Sequence, residues 1–404
     1  MPAAGRCVGG HWINMPVIEI QNVDVLFGAK KCQADALVLL DQGLSRDDIQ
    51  QQTGVVLGVA GASLSVDVGN ISVLMGLSGS GKSSLLRCVN GLNRVTRGSI
   101  LLQDANATLD VATLTGKKLR DVRRHRLAMV FQQFALLPWA TVRENIAFGL
   151  SVRGEKQSLI NETVDRQLEL VHLQAWADKA IHTLSGGMQQ RVGLARAFAT
   201  DAEILLMDEP FSALDPLIRE HLQDELLTLQ QTLKKTILFV SHDLDEALKI
   251  GNQISIMEGG RIVQTGTSSD IVFKPATDYV RRFVANINPL SVLTAESVMQ
   301  TIDGRGDRLL LPELHCEIWL KGGRLGSIEI ARQARTVSRF IGTPVASPEL
   351  AIVPLTTPMK ILLSQFSVSD EPVIVVDDNR PVGFITPRDV MIALNRDTAV
   401  VQSG

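Results

Sequence analysis

The chain has 404 residues, 45% of them hydrophobic, and carries a formal net charge of −3. Its length predicts two or three domains, and its near-neutral charge argues against nucleic-acid binding as the main role. No apolar run approaches the ~20 residues that a membrane-spanning helix needs, and the four cysteines are widely spaced, so we expect neither an integral membrane protein nor a disulfide framework.

Three zones follow one another along the chain. Residues 1–60 combine a strand-like run, Val17–Val25, with a polar helical stretch, Gln33–Gln52. Between residues 61–288, apolar strand-like runs alternate with helical patterns, which predicts an α/β domain with a largely parallel sheet. In residues 289–404 this alternation weakens. We therefore expect an N-terminal arm, a core domain and a separate C-terminal region.

The strongest local pattern is GLSGSGKS at residues 76–83. It matches GxxxxGK[ST] between an apolar run and a helical pattern, the context of a phosphate-binding loop, and this context disfavours an ordinary glycine-rich turn. Lys82 is predicted to reach the β- and γ-phosphates of a nucleotide, and Ser83 to ligate Mg²⁺. The predicted phosphate-contacting residues are Gly76, Ser78, Gly79, Ser80, Gly81, Lys82, Ser83 and Ser84.

Two carboxylates end a second apolar run, ILLMDEP at residues 204–210. In a phosphate-loop enzyme, Asp208 would hold Mg²⁺ and Glu209 would polarise the attacking water as general base. The alternative for such a pair is a helix N-cap at the strand end. The phosphate loop upstream favours the catalytic interpretation.

A third pattern, LSGGM at residues 184–188, opens a helical stretch. Ser185, Gly186 and Gly187 predict a second anion-binding helix N-terminus, with bare backbone N–H groups and one hydroxyl. A plain N-cap would explain the serine but not the glycine pair. Two phosphate-binding elements in one chain are explained if a nucleotide is held between two subunits.

Together these patterns resemble the ATP-binding subunit of an ABC transporter, and three shorter matches follow in the family's order. The resemblance implies that Gln132, in MVFQ, senses the γ-phosphate, helps ligate Mg²⁺ and contacts a membrane partner. It also implies that Asp215, in SALD, lies at a dimer interface and that His242, in SHD, bonds the γ-phosphate. The implied fold is a P-loop NTPase core with a helical subdomain.

An insertion within residues 26–59 narrows the resemblance to importers of quaternary amines such as glycine betaine, proline betaine and choline. Phe27 matches the aromatic residue on which adenine stacks, although an ordinary strand residue is the alternative. Trp139 stands where many importers have His, and could affect either docking to the permease or packing. The match begins near Val17, so Met15 is an alternative start to Met1.

The resemblance implies a homodimer of ATPase subunits on the cytoplasmic face of the plasma membrane. It also implies integral membrane permease subunits, a periplasmic or lipid-anchored substrate-binding protein and no nucleic-acid partner. The cargo is left open, since selectivity resides in other subunits; an amino acid or other polar solute is the alternative to choline or glycine betaine. Alternatives from other classes are a soluble ABC ATPase acting on ribosomes or DNA and a regulator without turnover.

Residues 289–404 are expected to be regulatory, and the sequence predicts one supersecondary unit within them. This unit is similar to half of a CBS module, placed near residues 353–396. It consists of a strand at Val373–Val376, a turn, a strand at Val382–Ile385 and a helix opened by Thr386. Thr386 and Asp389 would contact a nucleotide in such a module, or simply cap the helix. Residues 299–348 match the other half poorly.

Three local features have ordinary structural explanations. The basic run Lys117–Arg126 predicts a solvated helix face rather than a nucleic-acid or lipid site. Cys88 is expected to be a small buried hydrophobe. Asp243 and Glu246 have the spacing of a capping box for the helix that follows.

Overall fold

The structure is a computed structural model that describes residues 7–8, 11–12, 16–103, 108–285, 287–288, 292–302, 308–311, 316–321, 324–330, 333–339, 344–345 and 349–393. By their contacts these residues divide into two compact units, the first within Met1–Ile271 and Pro275–Arg281 and the second within Val272–Lys274 and Arg282–Gly404. The alternative start, Met15, lies outside the described residues.

The strands of the first unit, in chain order, are β1 Cys7–Val8, β2 His11–Trp12, β3 Pro16–Phe27, β4 Val56–Asp67, β5 Ile71–Met75, β6 Arg97–Gln103, β7 Thr108–Asp110, β8 Leu127–Val130, β9 Ile204–Asp208, β10 Thr236–Val240, β11 Gln253–Glu258 and β12 Arg261–Gly266. Those of the second unit are β13 Gln300–Thr301, β14 Arg308–Leu311, β15 Cys316–Lys321, β16 Arg324–Ile330, β17 Gln333–Arg335, β18 Val337–Arg339, β19 Leu350–Pro354, β20 Val373–Asp377 and β21 Arg380–Ile385.

The helices are α1 Lys30–Asp41, α2 Arg46–Thr53, α3 Lys82–Val89, α4 Gly116–His125, α5 Val142–Arg153, α6 Gln157–Leu170, α7 Gly186–Ala199, α8 Pro216–Leu233, α9 Leu244–Ile250, α10 Ser268–Phe273, α11 Asp278–Val284, α12 Ala295–Val298 and α13 Met359–Phe366. Short 3₁₀ turns occupy Gln174–Trp176 and Ile181–Thr183. Residues 387–393 are also helical. None of the helices in the described parts of the chain combines the length and the apolar character that a membrane crossing requires.

A six-stranded sheet in the order β12-β11-β5-β10-β9-β8 forms the centre of the first unit. Only β12 is antiparallel to its neighbour; the other neighbouring pairs run parallel. Every residue of β9 and of β10 is buried, as strands covered on both faces should be. The predicted α/β domain with a largely parallel sheet is therefore confirmed.

The N-terminal zone belongs to a second, antiparallel sheet in the order β4-β3-β6-β7. The predicted strand Val17–Val25 lies within β3, but the predicted helical stretch Gln33–Gln52 is two helices, α1 and α2. The chain turns at Gly43, which has a φ of 83°, and Ser45 caps α2 by accepting a hydrogen bond from the Asp48 N–H.

Two smaller predictions for the first unit are confirmed. The basic run lies mainly on α4, whose Lys and Arg side chains are exposed while Val122 is buried, so it is a solvated helix face. Cys88, on α3, is buried, and burial raises the pKa of its thiol to about 12. It therefore behaves as a small apolar side chain.

The second unit contains a five-stranded sheet, β13-β21-β20-β19-β18, and a four-stranded antiparallel sheet, β14-β15-β16-β17. The predicted strand Val373–Val376 lies in β20. The following strand begins at Arg380, two residues before its predicted start, because Asp378 and Asn379 alone form the turn with φ values of 42° and 71°. The Thr386 Oγ1 accepts a hydrogen bond from the Asp389 N–H at 3.3 Å, as expected for a helix cap.

An ion pair between the buried Asp24 and the half-exposed Arg97 helps to fasten α1 to the antiparallel sheet. Asp24 of β3 is only 1% exposed, and its carboxylate accepts hydrogen bonds from Arg97 Nε and from the Gly61 N–H, each at 2.6 Å. The same guanidinium bonds both carboxylate oxygens of Asp41, at the end of α1, and holds the pKa of Asp41 below its usual value. Arg97 thus joins β3, β6 and α1.

Replacing Arg97 with Met is expected to lower the free energy of unfolding by about 2 kcal/mol. The buried Asp24 carboxylate loses its cationic partner, but the exposure of Arg97 to solvent screens the pair. Urea denaturation measures the change. Arg94→Met removes an exposed guanidinium nearby and is expected to change stability by less than about 0.5 kcal/mol. Equal losses in the two variants would contradict a special role for the Asp24–Arg97 pair.

Candidate active site

The predicted phosphate loop connects the fully buried strand β5 to the N-terminus of α3. Gly76 and Gly81 have φ values of 142° and 102°. A Cβ atom on Gly76 would lie 2.2 Å from the Met257 carbonyl oxygen, and one on Gly81 would lie 2.4 Å from the Gly58 carbonyl oxygen. Because both the conformation and the space exclude a side chain, only glycine fits these positions.

Lys82 lies at the first position of α3 with its side chain buried under the loop. Its Nζ donates hydrogen bonds to the carbonyl oxygens of Gly76 at 2.7 Å and Leu77 at 3.0 Å. Burial lowers the pKa of Lys82, and the nearby carboxylates of Glu209 and Asp208 oppose that shift. The Ser80 hydroxyl is buried without a hydrogen-bond partner among the described residues. Both observations suit a loop that receives an anion.

Asp208 ends β9 and is completely buried. Its Oδ1 accepts a hydrogen bond from the Ser83 hydroxyl at 2.7 Å, and its Oδ2 accepts one from Arg87 at 2.9 Å. It caps no helix, since the next helix begins at Pro216 and is capped by Asp215. The N-cap alternative for Asp208 is therefore wrong.

Glu209 has a φ of 50°, a left-handed conformation that is unusual for a residue other than glycine. Its Oε2 accepts a hydrogen bond from Gln132 Nε2 at 3.0 Å and lies 3.2 Å from His242 Nδ1. Non-glycine residues in this conformation concentrate at functional sites. Three residues from separate parts of the sequence thus meet at the ends of the parallel strands.

A cavity of about 500 Å³ lies between these groups and the phosphate loop. It is lined by Phe27, Arg46, Val56, Gly58, Ser78, Gly79, Gly81, Lys82, Ser83, Ser84, Gln132, Glu209 and His242. Phe27 is 41% exposed at the end of β3, and its ring packs so closely on Gly58 that a Cβ there would lie 2.5 Å from it. An aromatic ring, a buried lysine and a carboxylate therefore share one cavity.

The other predicted site residues lie outside the lining of this cavity. Gly76, Ser80 and Asp208 lie beneath it, in or against the phosphate loop. Ser185, Gly186 and Gly187 open α7, with the Ser185 hydroxyl accepting a hydrogen bond from the Met188 N–H at 3.4 Å. Asp215 caps α8 through the Ile218 N–H.

Two contacts to the phosphate loop were not predicted from the sequence. Arg46, at the start of α2, donates a hydrogen bond from Nη1 to the Gly79 carbonyl oxygen at 2.7 Å. The Tyr279 hydroxyl accepts one from the Leu77 N–H at 3.3 Å. Each residue lies in a stretch with a family resemblance, but both are far from the loop in sequence, so the pattern does not predict their contacts with it.

The capping box predicted for Asp243 and Glu246 is only half correct. Asp243 Oδ1 accepts from the Glu246 N–H at 3.2 Å, but the Asp243 N–H donates to the Ser241 hydroxyl instead of to Glu246. The buried Glu246 carboxylate accepts hydrogen bonds from Ser241 and Gln223, and burial raises its pKa. These contacts hold the turn that carries His242.

Comparison with known proteins agrees with this geometry. A family model described as "ABC transporter" matches residues 59–212. The glycine betaine/carnitine transport ATP-binding protein GbuA of Listeria monocytogenes is 39% identical to this chain, over 94% of the chain and 98% of GbuA. This chain belongs to the family of ABC transporter ATP-binding proteins.

Further relatives agree with the assignment. The glycine betaine/proline betaine transport ATP-binding protein ProV of Escherichia coli is 40% identical, over 94% of this chain and 98% of ProV. A dimeric ATP-binding cassette in a post-hydrolysis state with ADP and Pi superposes with a TM-score of 0.53 at 25% identity, covering 62% of this chain and 98% of the cassette. The predictions of an ABC ATPase core and of an ATP-hydrolysing subunit are confirmed.

Proposed function

We propose that this ATPase powers the uptake of a quaternary amine, glycine betaine or choline, from the cytoplasmic face of the plasma membrane. The observation that carries the mechanism is the contact of Glu209 with Gln132 and His242 across the cavity from Lys82. The relatives GbuA and ProV match nearly the whole chain, and their names support glycine betaine as the cargo.

In this proposal Lys82 binds the β- and γ-phosphates of ATP, exchanging one or both of its bonds to loop carbonyls for phosphate oxygens. Glu209 takes a proton from the attacking water as general base. Gln132 and His242 hold the Glu209 carboxylate in place until nucleotide arrives, and His242 then bonds the γ-phosphate. Phe27 stacks on adenine.

The residues proposed for Mg²⁺ offer the oxygen ligands that this ion prefers. They are the Ser83 hydroxyl, the Asp208 carboxylate, which lies 2.7 Å from it, and Gln132. Because Gln132 donates to Glu209 through Nε2, its amide oxygen remains available. When bound, the ion neutralises charge on the phosphates.

We further propose that two copies of the chain form each ATP site. Four predicted residues lie outside the lining of the cavity at the phosphate loop, which supports a second copy that brings them to the nucleotide. They are Ser185, Gly186, Gly187 and Asp215. A two-fold, head-to-tail pair supplies them symmetrically. The similar solved cassette is dimeric, which supports this arrangement.

The membrane permease is proposed to contact a surface of this chain away from the cavity, and the substrate-binding protein is an indirect partner. Trp139 is 81% exposed, which disfavours the packing alternative, and we assign it to contact with a separate integral membrane permease. A substrate-binding protein on the other side of the membrane would deliver the amine. We assign residues 289–404 a regulatory role, with the CBS-like half near residues 353–396.

Glu209→Gln is expected to bind ATP normally but to release phosphate at least ~100-fold more slowly, because the amide cannot accept a proton from water. Phosphate release and equilibrium ATP binding measure the two effects. Glu162→Gln, which changes an exposed carboxylate on α6, is the control and should retain full turnover. Normal turnover in Glu209→Gln would remove this residue from the role of base.

The two-chain site predicts complementation between inactive variants. Lys82→Ala and Gly187→Glu should each be inactive alone. When the two variants are combined in equal amounts, about half of the dimers contain one copy of each. Each such dimer has one intact site of two, so about a quarter of all ATP sites are intact. Phosphate release above the sum of the separate variants supports the arrangement, and no recovery contradicts it.

Uptake of labelled solutes tests the cargo. Deletion of the gene is expected to abolish accumulation of glycine betaine or choline, and the wild-type chain, but not Glu209→Gln, should restore it. Labelled amino acids serve as the comparison. If accumulation of an amino acid is lost instead, the cargo proposal is wrong while the ATPase activity stands.

A further inference from the structure

The insertion that separates β3 from β4 reaches the nucleotide cavity through one side chain. Arg46 is the first residue of α2, and Ser45 fixes this helix start by accepting a hydrogen bond from the Asp48 N–H at 3.2 Å. The guanidinium crosses to the phosphate loop and bonds the Gly79 carbonyl oxygen at 2.7 Å. It also lines the cavity that contains Lys82.

Among the described residues, the positive charge of Arg46 has no carboxylate partner. Its described hydrogen bond goes to an uncharged carbonyl oxygen, and within the described parts of the chain no carboxylate forms an ion pair with it. A guanidinium has five N–H donors in a planar fork that matches phosphate oxygens. Asp48 lies two residues further along the chain, but its carboxylate accepts a hydrogen bond from the Ser45 hydroxyl instead, at 2.6 Å.

The placement of Arg46 complements that of Lys82. Lys82 reaches the inner side of the phosphate loop and is buried there, bonded to two loop carbonyls. Arg46 is half-buried and reaches the same loop from the insertion. A nucleotide whose phosphates lie on the loop would therefore meet one cation from the core and one from the insertion.

We propose that Arg46 binds the phosphate chain of the nucleoside di- or triphosphate, so that the insertion helps to set nucleotide affinity. The inference rests on the ATP site of the proposed function. The guanidinium lines the cavity beside the loop, and the donors that it does not use on the Gly79 carbonyl are free to bond a phosphate oxygen. Arg46 is then a binding residue that the shared motifs of the family do not include.

The test compares nucleotide binding by full-length variants. Arg46→Ala and Arg46→Gln remove the charge, and Arg46→Lys keeps it. Arg94→Ala, which removes an exposed guanidinium that does not line the cavity, is the matched control. Equilibrium binding of ATP and ADP, competition by adenosine, and KM and kcat for ATP hydrolysis are measured for each.

For Arg46→Ala and Arg46→Gln we expect about tenfold weaker binding of ATP and ADP and a similar rise in KM, from the loss of one charge-assisted hydrogen bond. Competition by adenosine and kcat should stay within about twofold. Arg46→Lys should recover most of the affinity, and Arg94→Ala should match the wild type. Melting temperatures without nucleotide identify any variant that is misfolded.

Two outcomes overturn the inference. Unchanged ATP and ADP binding in both charge-removing variants excludes a phosphate contact. An equal loss of affinity for adenosine shows that Arg46 acts on the shape of the cavity rather than on phosphates. In both cases a wild-type chain that hydrolyses ATP leaves the proposed function standing, whereas a wild type that does not bind ATP contradicts the proposed function itself.

Discussion

The nucleotide cavity depends on the close packing of the phosphate loop against neighbouring backbone segments. The phosphate loop is packed directly against two carbonyl oxygens, those of Gly58 on β4 and Met257 on β11, with no room for a side chain at Gly76 or Gly81. The Gly260 N–H adds a hydrogen bond to the Ser80 carbonyl at 3.1 Å. Contacts between backbones leave little freedom of adjustment, so the loop has one position relative to the strands around it.

That position determines where the chemistry occurs. The same Gly58 that meets Gly81 also carries the ring of Phe27, so the antiparallel sheet and the loop share one contact point. At the C-terminal end of the loop, Ser83 donates a hydrogen bond to Asp208, which links α3 to the end of β9. The Glu209 carboxylate, the lysine and the aromatic ring are therefore held by elements that meet at the loop, rather than by a flexible connection.

Much of this site could be predicted from the sequence because its residues occur where strands end. Glu209 and His242 follow buried parallel strands, and parallel strands end at one edge of a sheet, so a linear pattern predicts a spatial cluster. Arg46 and Tyr279 could not be predicted in this way, because contacts between distant segments depend on the folded sheet. The capping box at Glu246 failed for a local reason as well: the Ser241 hydroxyl accepts the Asp243 N–H and donates to Glu246, while Gln223 on another helix adds a second hydrogen bond.

The contact of Tyr279 with the loop has a spectroscopic consequence. The chain has a single tyrosine, and its hydroxyl accepts the hydrogen bond of the Leu77 N–H within the phosphate loop. Isotope labelling of tyrosine would therefore give NMR signals from one residue of the chain, located beside the loop. The chain thus carries a native reporter beside its phosphate loop, without any engineered label.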